Sequence, residues 1–320
     1  MKGMNDSLEK IREIISAHQN IVLCGHINPD GDAIGANLAL AASLKKAGKN
    51  VQVLLRPYAP KYEVIPNGNL VVQKEDVTRA ELFIALDCGD VGRFDWIEDV
   101  FKGAQCTMNI DHHASNSFFG EYNYVEENAS STCEIVYNLL KEFFPIDEEI
   151  ASALYAGLIY DTGGFRHSST TTDTMQAAGE LMSYGIPFTK IYNALFDSRS
   201  FSEMKIMGRA FDKAELCLDG KVIFTSITMV DMEECKGTNK ELDAIINYIK
   251  GVNDVKIACF LYEKNEMDVK ASFRGNDGYD VCALAQKFGG GGHVKAAGCT
   301  IVAPLATAKE MVFAEIEKML

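Results

Sequence analysis

No stretch of the chain approaches the roughly 18 apolar residues that a membrane helix needs, so the sequence offers no candidate span. The opening residues, MKGMNDSLEKIREIISAHQN, lack the uninterrupted apolar core of a secretory signal. They read as an amphipathic helix with Leu8, Ile11, Ile14 and Ile15 on one face. The cytoplasm is the expected compartment. There is no C-x-x-C pair among the nine cysteines, an odd number, which argues against a zinc ribbon or a disulfide framework and predicts reduced thiols. Basic residues are in deficit, 31 Lys+Arg against 45 Asp+Glu for a net charge of −14. A duplex-DNA footprint, which needs clustered Lys and Arg, is therefore not expected. Short nucleotides held by a local basic pocket or by bound metal remain open. Repeats and low-complexity tracts are also absent. With 47% apolar and 24% charged residues the composition is globular rather than disordered. At roughly 150 residues per domain, 320 residues predict about two domains.

From residue 21 to about 185, short apolar runs alternate with helical patterns. Ile21–Cys24, Val51–Leu55, Leu82–Leu86 and Cys106–Ile110 have strand length and are bounded by Gly, Pro, Asn or Asp. Helices are expected at Ala33–Ala47, Cys133–Phe144, Glu148–Ile159 and Thr174–Tyr184. This rhythm predicts an α/β fold with a mainly parallel sheet over 1–185. Residues 186–212 read as a helical connecting segment. The remainder, 213–320, reads as a smaller α+β domain. It has hairpins turning at Asp219-Gly220 and Lys264-Asn265, and helices near 239–250, 279–287 and 304–319.

Five of the six histidines fall in or near Asp- or Gly-rich loops. His26, Asp30 and Asp32 lie between an apolar strand and a helix, where open α/β sheets build their sites. The bland alternative makes Asp30 a turn residue and Asp32 a helix cap. Asp87 ends a second apolar strand, Asp111-His112-His113 a third, and Asp161 an apolar helix before Gly163-Gly164. Each could cap or turn singly; jointly they are too many for that. Two histidines with four aspartates also exceed one structural zinc site. Oxygen-rich sets with some imidazole suit Mn²⁺ or Mg²⁺, and a carboxylate shared between two ions would make a binuclear phosphoryl-transfer centre. In the C-terminal part, Gly289 to Gly292 would let backbone N–H groups converge on an anion beside His293. A flexible hinge before the strand Cys299–Val302 is the alternative there. Arg274 could hold a phosphate bidentately.

The H-x-x-x-D-x-D motif, the strand-end Asp, the Asp-His-His triplet and the later Asp resemble the DHH phosphoesterase superfamily in order and context. GGGGHVKAAG, 289–298, and SFRG, 272–275, are similar to the DHH-associated C-terminal domain. The resemblance covers nearly the whole chain. Its compact two-domain layout most resembles the members with oligoribonuclease and 3′-phosphoadenosine-5′-phosphate phosphatase activity. By position, it implies that His26, Asp30 and Asp87 bind one ion, and that Asp32, Asp87, His112 and Asp161 bind a second, with Asp87 bridging. It further implies that Asp111 orients a neighbouring imidazole, that His113 faces the scissile phosphate, and that Arg274, Gly290, Gly291, Gly292 and His293 hold substrate.

The expectation is a phosphodiesterase or phosphatase with two divalent cations, Mn²⁺ before Mg²⁺. Its substrates would be short single-stranded RNA or small nucleotides, with no membrane partner and a homodimer as the default assembly. Cyclic di-AMP or its linear product pApA is the alternative substrate. Pyrophosphate fits less well because of the C-terminal motif. A non-catalytic nucleotide sensor is the alternative of another class, and the intact ligand set counts against it.

Overall fold

A computed structural model describes residues 5–242, 244–276 and 278–320, with Lys240 by its backbone alone. It comprises two compact units, one ending at Ser198 and one beginning at Arg199.

In chain order the first unit runs α1 (Leu8–Ala17), β1 (Asn20–Cys24), α2 (Gly31–Lys46), β2 (Asn50–Leu54), β3 (Leu82–Leu86), α3 (Glu98–Gly103), β4 (Cys106–Asp111), β5 (Tyr122–Val125), α4 (Thr132–Leu140), α5 (Glu148–Asp161), α6 (Thr172–Met182) and α7 (Phe188–Tyr192). The five strands form one sheet in the order β2-β1-β3-β4-β5, and every neighbouring pair is parallel. All five residues of β3 are buried, as a strand covered on both faces requires. Leu82, Ile84 and Leu86 join a core with α1, α2, α4 and α5, while Phe83 and Ala85 join a second core with Phe94 and Ile97. This is the period-two alternation of a pleated strand. The strand order reverses direction between β1 and β3, which opens a crevice at the carboxyl ends of those strands.

α2 and α5 cross closely against this sheet. A Cβ on Gly157 would lie 2.2 Å from Cys133 Sγ and 3.0 Å from Asp32 Cα, so only glycine admits that approach. The four strands read from the sequence are present. β5 was not expected, because YNYV between Glu121 and Glu126 lacks an apolar run. It is held by parallel pairing with β4 and by Asn5 and Asp6, whose side chains and backbone bond to Asn123 and Val125. The N-terminal helix begins only at Leu8, where the Ser7 hydroxyl accepts the Lys10 N–H; residues 1–4 of the expected helix lie outside the described residues.

The second unit runs α8 (Phe201–Asp212), β6 (Glu215–Cys217), β7 (Val222–Ile227), α9 (Met229–Cys235), α10 (Ile245–Ile249), β8 (Ile257–Asn265), β9 (Asp268–Gly275), α11 (Val281–Gln286), β10 (Gly291–His293), β11 (Ala296–Val302) and α12 (Leu305–Ile316). Its six-stranded sheet has the order β10-β11-β9-β8-β7-β6 and is mixed, because β7 and β8 pair in parallel while the other pairs are antiparallel. Both expected hairpins are found. The stretch 186–212 divides: Ile191 and Leu195 pack in the first unit's core, and Ile206, Met207 and Ala210 in the second's. All nine cysteines are unpaired. Among the described residues, no helix is long and apolar enough to cross a membrane.

Candidate metal centre

The loop leaving β1 carries His26, and α2 begins where Asp30 caps it. Asp30 Oδ1 accepts the N–H groups of Asp32 and Ala33 at 3.0 and 3.1 Å. Asp30, read from the sequence as a turn residue, is thus the cap of α2, and its carboxylate also stands 3.8 Å from His26 Nε2. Asp32 does not cap α2. It is fully buried, and its two oxygens accept the N–H groups of Thr132 and Cys133 at 2.6 and 2.8 Å, in the first turn of α4. Asp87 follows β3 in the left-handed region at φ 59°, a conformation that aspartate and asparagine adopt more readily than other residues with a Cβ. Its Oδ2 lies 3.5 Å from His26 Nε2, and its Oδ1 lies 3.6 Å from both His112 Nε2 and His113 Nδ1. Asp161, at the last residue of α5, lies 3.3 Å from His112 Nε2.

The fold therefore gathers all the expected N-terminal donors at the carboxyl end of the sheet. His26, Asp30 and Asp87 form one set, Asp32, His112 and Asp161 another, and Asp87, His112 and His113 a third; in each, the ligand atoms lie within 4.8 Å of one another. The ionic partners of Asp30, Asp87 and Asp161 include the imidazoles of His26, His112 and His113. Burial, followed by the charges of Asp87, Asp161 and Asp30, raises the Asp32 carboxyl well above its ordinary range. Burial likewise raises Asp161, to about 6, against the lowering effect of His112. Burial alone would lower His26, but Asp30 and Asp87 outweigh it and lift the imidazole to about 9. These are the marks of a carboxylate cluster short of positive charge, and hard oxygen donors with imidazoles fit divalent cations. Among the described residues the buried Nδ1 of His26 has no partner, while Nε2 faces the carboxylates.

Asp111 and His113 stand beside this set. The fully buried Asp111 accepts the His113 Nδ1–H at 2.7 Å and the Asn116 Nδ2–H at 2.6 Å. The first of these bonds raises His113 to about 9 against the effect of burial. His167 bonds the backbone instead: its Nδ1 lies 2.9 Å from the Asp161 carbonyl, and Gly163 at φ 59° leaves room for the ring.

In the second unit Arg274 lies on β9, with Nη1 donating to the Phe273 carbonyl at 3.0 Å and Nε to Asn247 Oδ1 at 3.3 Å. Gly291, Gly292 and His293 form the edge strand β10, and a Cβ on Gly290 or Gly292 would collide with β11. Register places His293 opposite Ala296 and Ala296 opposite Arg274. The two side chains therefore share one sheet face, two strand spacings or about 10 Å apart. Sequence reasoning missed Thr132 and Asn116. The pattern Ser131-x-x-Glu134 signals the start of α4; nothing local marks Asn116.

Residues 20–158 match the DHH family, N-terminal domain, and residues 219–319 match the DHHA1 domain. The bifunctional oligoribonuclease and PAP phosphatase NrnA of Thermus thermophilus is 29% identical, over 92% of this chain and 89% of that protein. The cyclic-di-AMP phosphodiesterase PdeA of Listeria monocytogenes is 26% identical, over 98% of this chain and 48% of that protein. Among solved structures, an exopolyphosphatase-related protein from Bacteroides fragilis superposes with a TM-score of 0.85 at 25% identity, over 96% of this chain and 94% of that one.

Proposed function

We propose that this chain, which carries a DHH family N-terminal domain over residues 20–158 and a DHHA1 domain over residues 219–319, is a two-metal enzyme hydrolysing short oligoribonucleotides and 3′-phosphoadenosine-5′-phosphate. The grouping of donors around Asp87 carries this reading. His26, Asp30 and Asp87 would hold one ion, and Asp32, Asp87, His112 and Asp161 the other. Mn²⁺ suits a set that mixes carboxylates with imidazoles. Bound there, the ions would supply Lewis-acid charge to the phosphate and lower the pKa of water.

The chain's own residues do the rest. Asp111 fixes the tautomer and tilt of His113 by taking its Nδ1–H, which leaves Nε2 as the ring nitrogen for a phosphoryl or leaving-group oxygen. Asp32 is held by two amide N–H groups, so each of its oxygens keeps a lone pair for a cation. In the DHHA1 domain, Arg274 and His293 on one sheet face are the proposed nucleotide-holding pair, with the backbone of Gly290 to Gly292 beside them. A net charge of −14 disfavours added phosphates, so short substrates should be preferred over long ones. The likeness to the Listeria phosphodiesterase supports a second reading, in which the substrate is a cyclic dinucleotide or its linear product.

A substrate panel on Mn²⁺-loaded protein tests both readings. It comprises single-stranded RNA from dimer to about 24-mer at fixed salt, 3′-phosphoadenosine-5′-phosphate, pApA, cyclic di-AMP and pyrophosphate. The expected kcat/KM peaks for RNA of about two to five residues and falls with length, following the same charge argument. Efficiency that climbs with length would replace this reading with a processive exonuclease. No metal-dependent hydrolysis of any member would leave a nucleotide sensor.

A further inference from the structure

The first turn of α4 touches carboxylates from both expected ion groups. Ser131 caps the helix by accepting the Glu134 N–H at 3.1 Å. Thr132 and Cys133 then direct their N–H groups at different oxygens of Asp32, 2.6 and 2.8 Å away. The Thr132 hydroxyl donates to Asp87 Oδ1 at 3.2 Å. This bond holds the Asp87 carboxylate directly. The imidazoles around it stand at 3.5 to 3.6 Å, beyond ordinary hydrogen-bond length. Thr132 and Asp32 are fully buried and Asp87 is 3% exposed, so water does not compete for these bonds.

Asp87 has two oxygens facing different partners, Oδ2 toward His26 and Oδ1 toward His112 and His113. Rotation about its terminal torsion would disturb both directions together. The Thr132 hydroxyl pins that torsion, while the Thr132 amide pins the carboxylate of Asp32. The helix end is secured in turn by Glu134, whose Oε2 accepts the Ser130 N–H, the Ser130 hydroxyl and the Thr174 hydroxyl at 3.2, 2.5 and 2.9 Å.

We propose that Thr132 is a positioning residue of the metal centre, whose hydroxyl holds the shared carboxylate of Asp87 in register with Asp32. The proposal rests on the two-metal reading given above. It requires a β-hydroxyl at position 132, which serine supplies and valine, of nearly the same shape, does not.

The test compares wild type, Thr132→Val and Thr132→Ser as purified full-length proteins stripped of metal. Mn²⁺ is titrated by calorimetry and by the electron paramagnetic resonance signal of the free ion, and each metal-free protein is melted. Thr132→Val should melt cooperatively near the wild-type temperature and bind Mn²⁺ about tenfold or more weakly, the range seen when groups supporting metal ligands are removed. Thr132→Ser should bind like wild type. A folded valine variant that binds Mn²⁺ as tightly as wild type would overturn the proposal. So would a serine variant as weak as the valine one, a comparison that holds even where valine impairs folding. Wild type that binds no divalent cation would instead defeat the two-metal reading itself.

Discussion

Oδ1 of Asp111 lies 2.7 Å from Nδ1 of His113, joining a fully buried carboxylate to a ring whose side chain is 42% exposed. The buried partner is itself fixed, because Asn116 donates to its other oxygen and to Asn109 Oδ1. The exposed ring is thus anchored from beneath.

Asp111→Asn should lower kcat by about 10- to 100-fold while leaving bound metal unchanged, since it removes the orienting charge and sets an NH2 group against one of the two donors, His113 and Asn116, but removes no expected ligand. Steady-state kinetics and elemental analysis check this. His113→Ala should cost at least as much, and the double variant should be no worse than His113→Ala alone, because the two act as one unit. Additive losses would disconnect them.

Asp87 combines a left-handed backbone with a carboxylate set among other carboxylates. Asn tolerates that backbone and carries no charge. Because the Asp87 charge crowds Asp32 and Asp161, metal-free Asp87→Asn should be more stable than metal-free wild type, by about 1 kcal/mol, yet be inactive, as Asp87→Ala should be. Wild type should gain about 2.7 kcal/mol at free Mn²⁺ one hundred times its Kd, a gain the variant forfeits. Calorimetric melting with and without Mn²⁺, and after chelation, reads all of these. A metal-free Asp87→Asn protein that melts lower would show that the carboxylate stabilises the fold.

Stability of the second unit should depend on pH through Asp231. Burial would raise this carboxyl, but the Lys213 ammonium and the Thr228 N–H and hydroxyl outweigh it and hold it below the ordinary range. A depressed folded-state value means that the stabilisation is complete above the unfolded value near 4 and is lost as pH falls through the folded one. Asp231→Asn should cost about 2 kcal/mol at pH 7, with the gap to wild type narrowing in acid. Urea titrations across pH 7 to 3 measure it, and a gap constant with pH would remove the charge from the explanation.

Arg274→Ala and His293→Ala should raise KM for nucleotide substrates far more than for a small artificial diester, which offers no base or second phosphate to hold. Paired kinetics on the two substrates make the comparison. Equal losses on both would assign these residues to folding or chemistry.

Much of this was legible because each donor in the first unit stands where a patterned element ends. Ile21–Cys24, Leu82–Leu86 and Cys106–Ile110 advertise buried strands, and a parallel sheet puts their exits together. What escaped has a common cause. β5 is a strand by virtue of its pairing rather than its composition, and Asp32 is held by backbone amides from 100 residues away, which no side-chain pattern records. The capping reading of Asp32 identified the right interaction and the wrong helix. Asn116 bridges Asp111 and Asn109 only because a loop folds back after β4.

The donor set opens at His26 and closes at Asp161, with Thr132 and Cys133 supplying the amides in between. During synthesis, on the order of ten seconds separate the emergence of the first donor from that of the last. The proposed set of His26, Asp30 and Asp87 is complete once β3 has emerged, whereas the set of Asp32, His112 and Asp161 waits for the end of α5. A chain interrupted before α5 should therefore hold at most one of the two proposed ions.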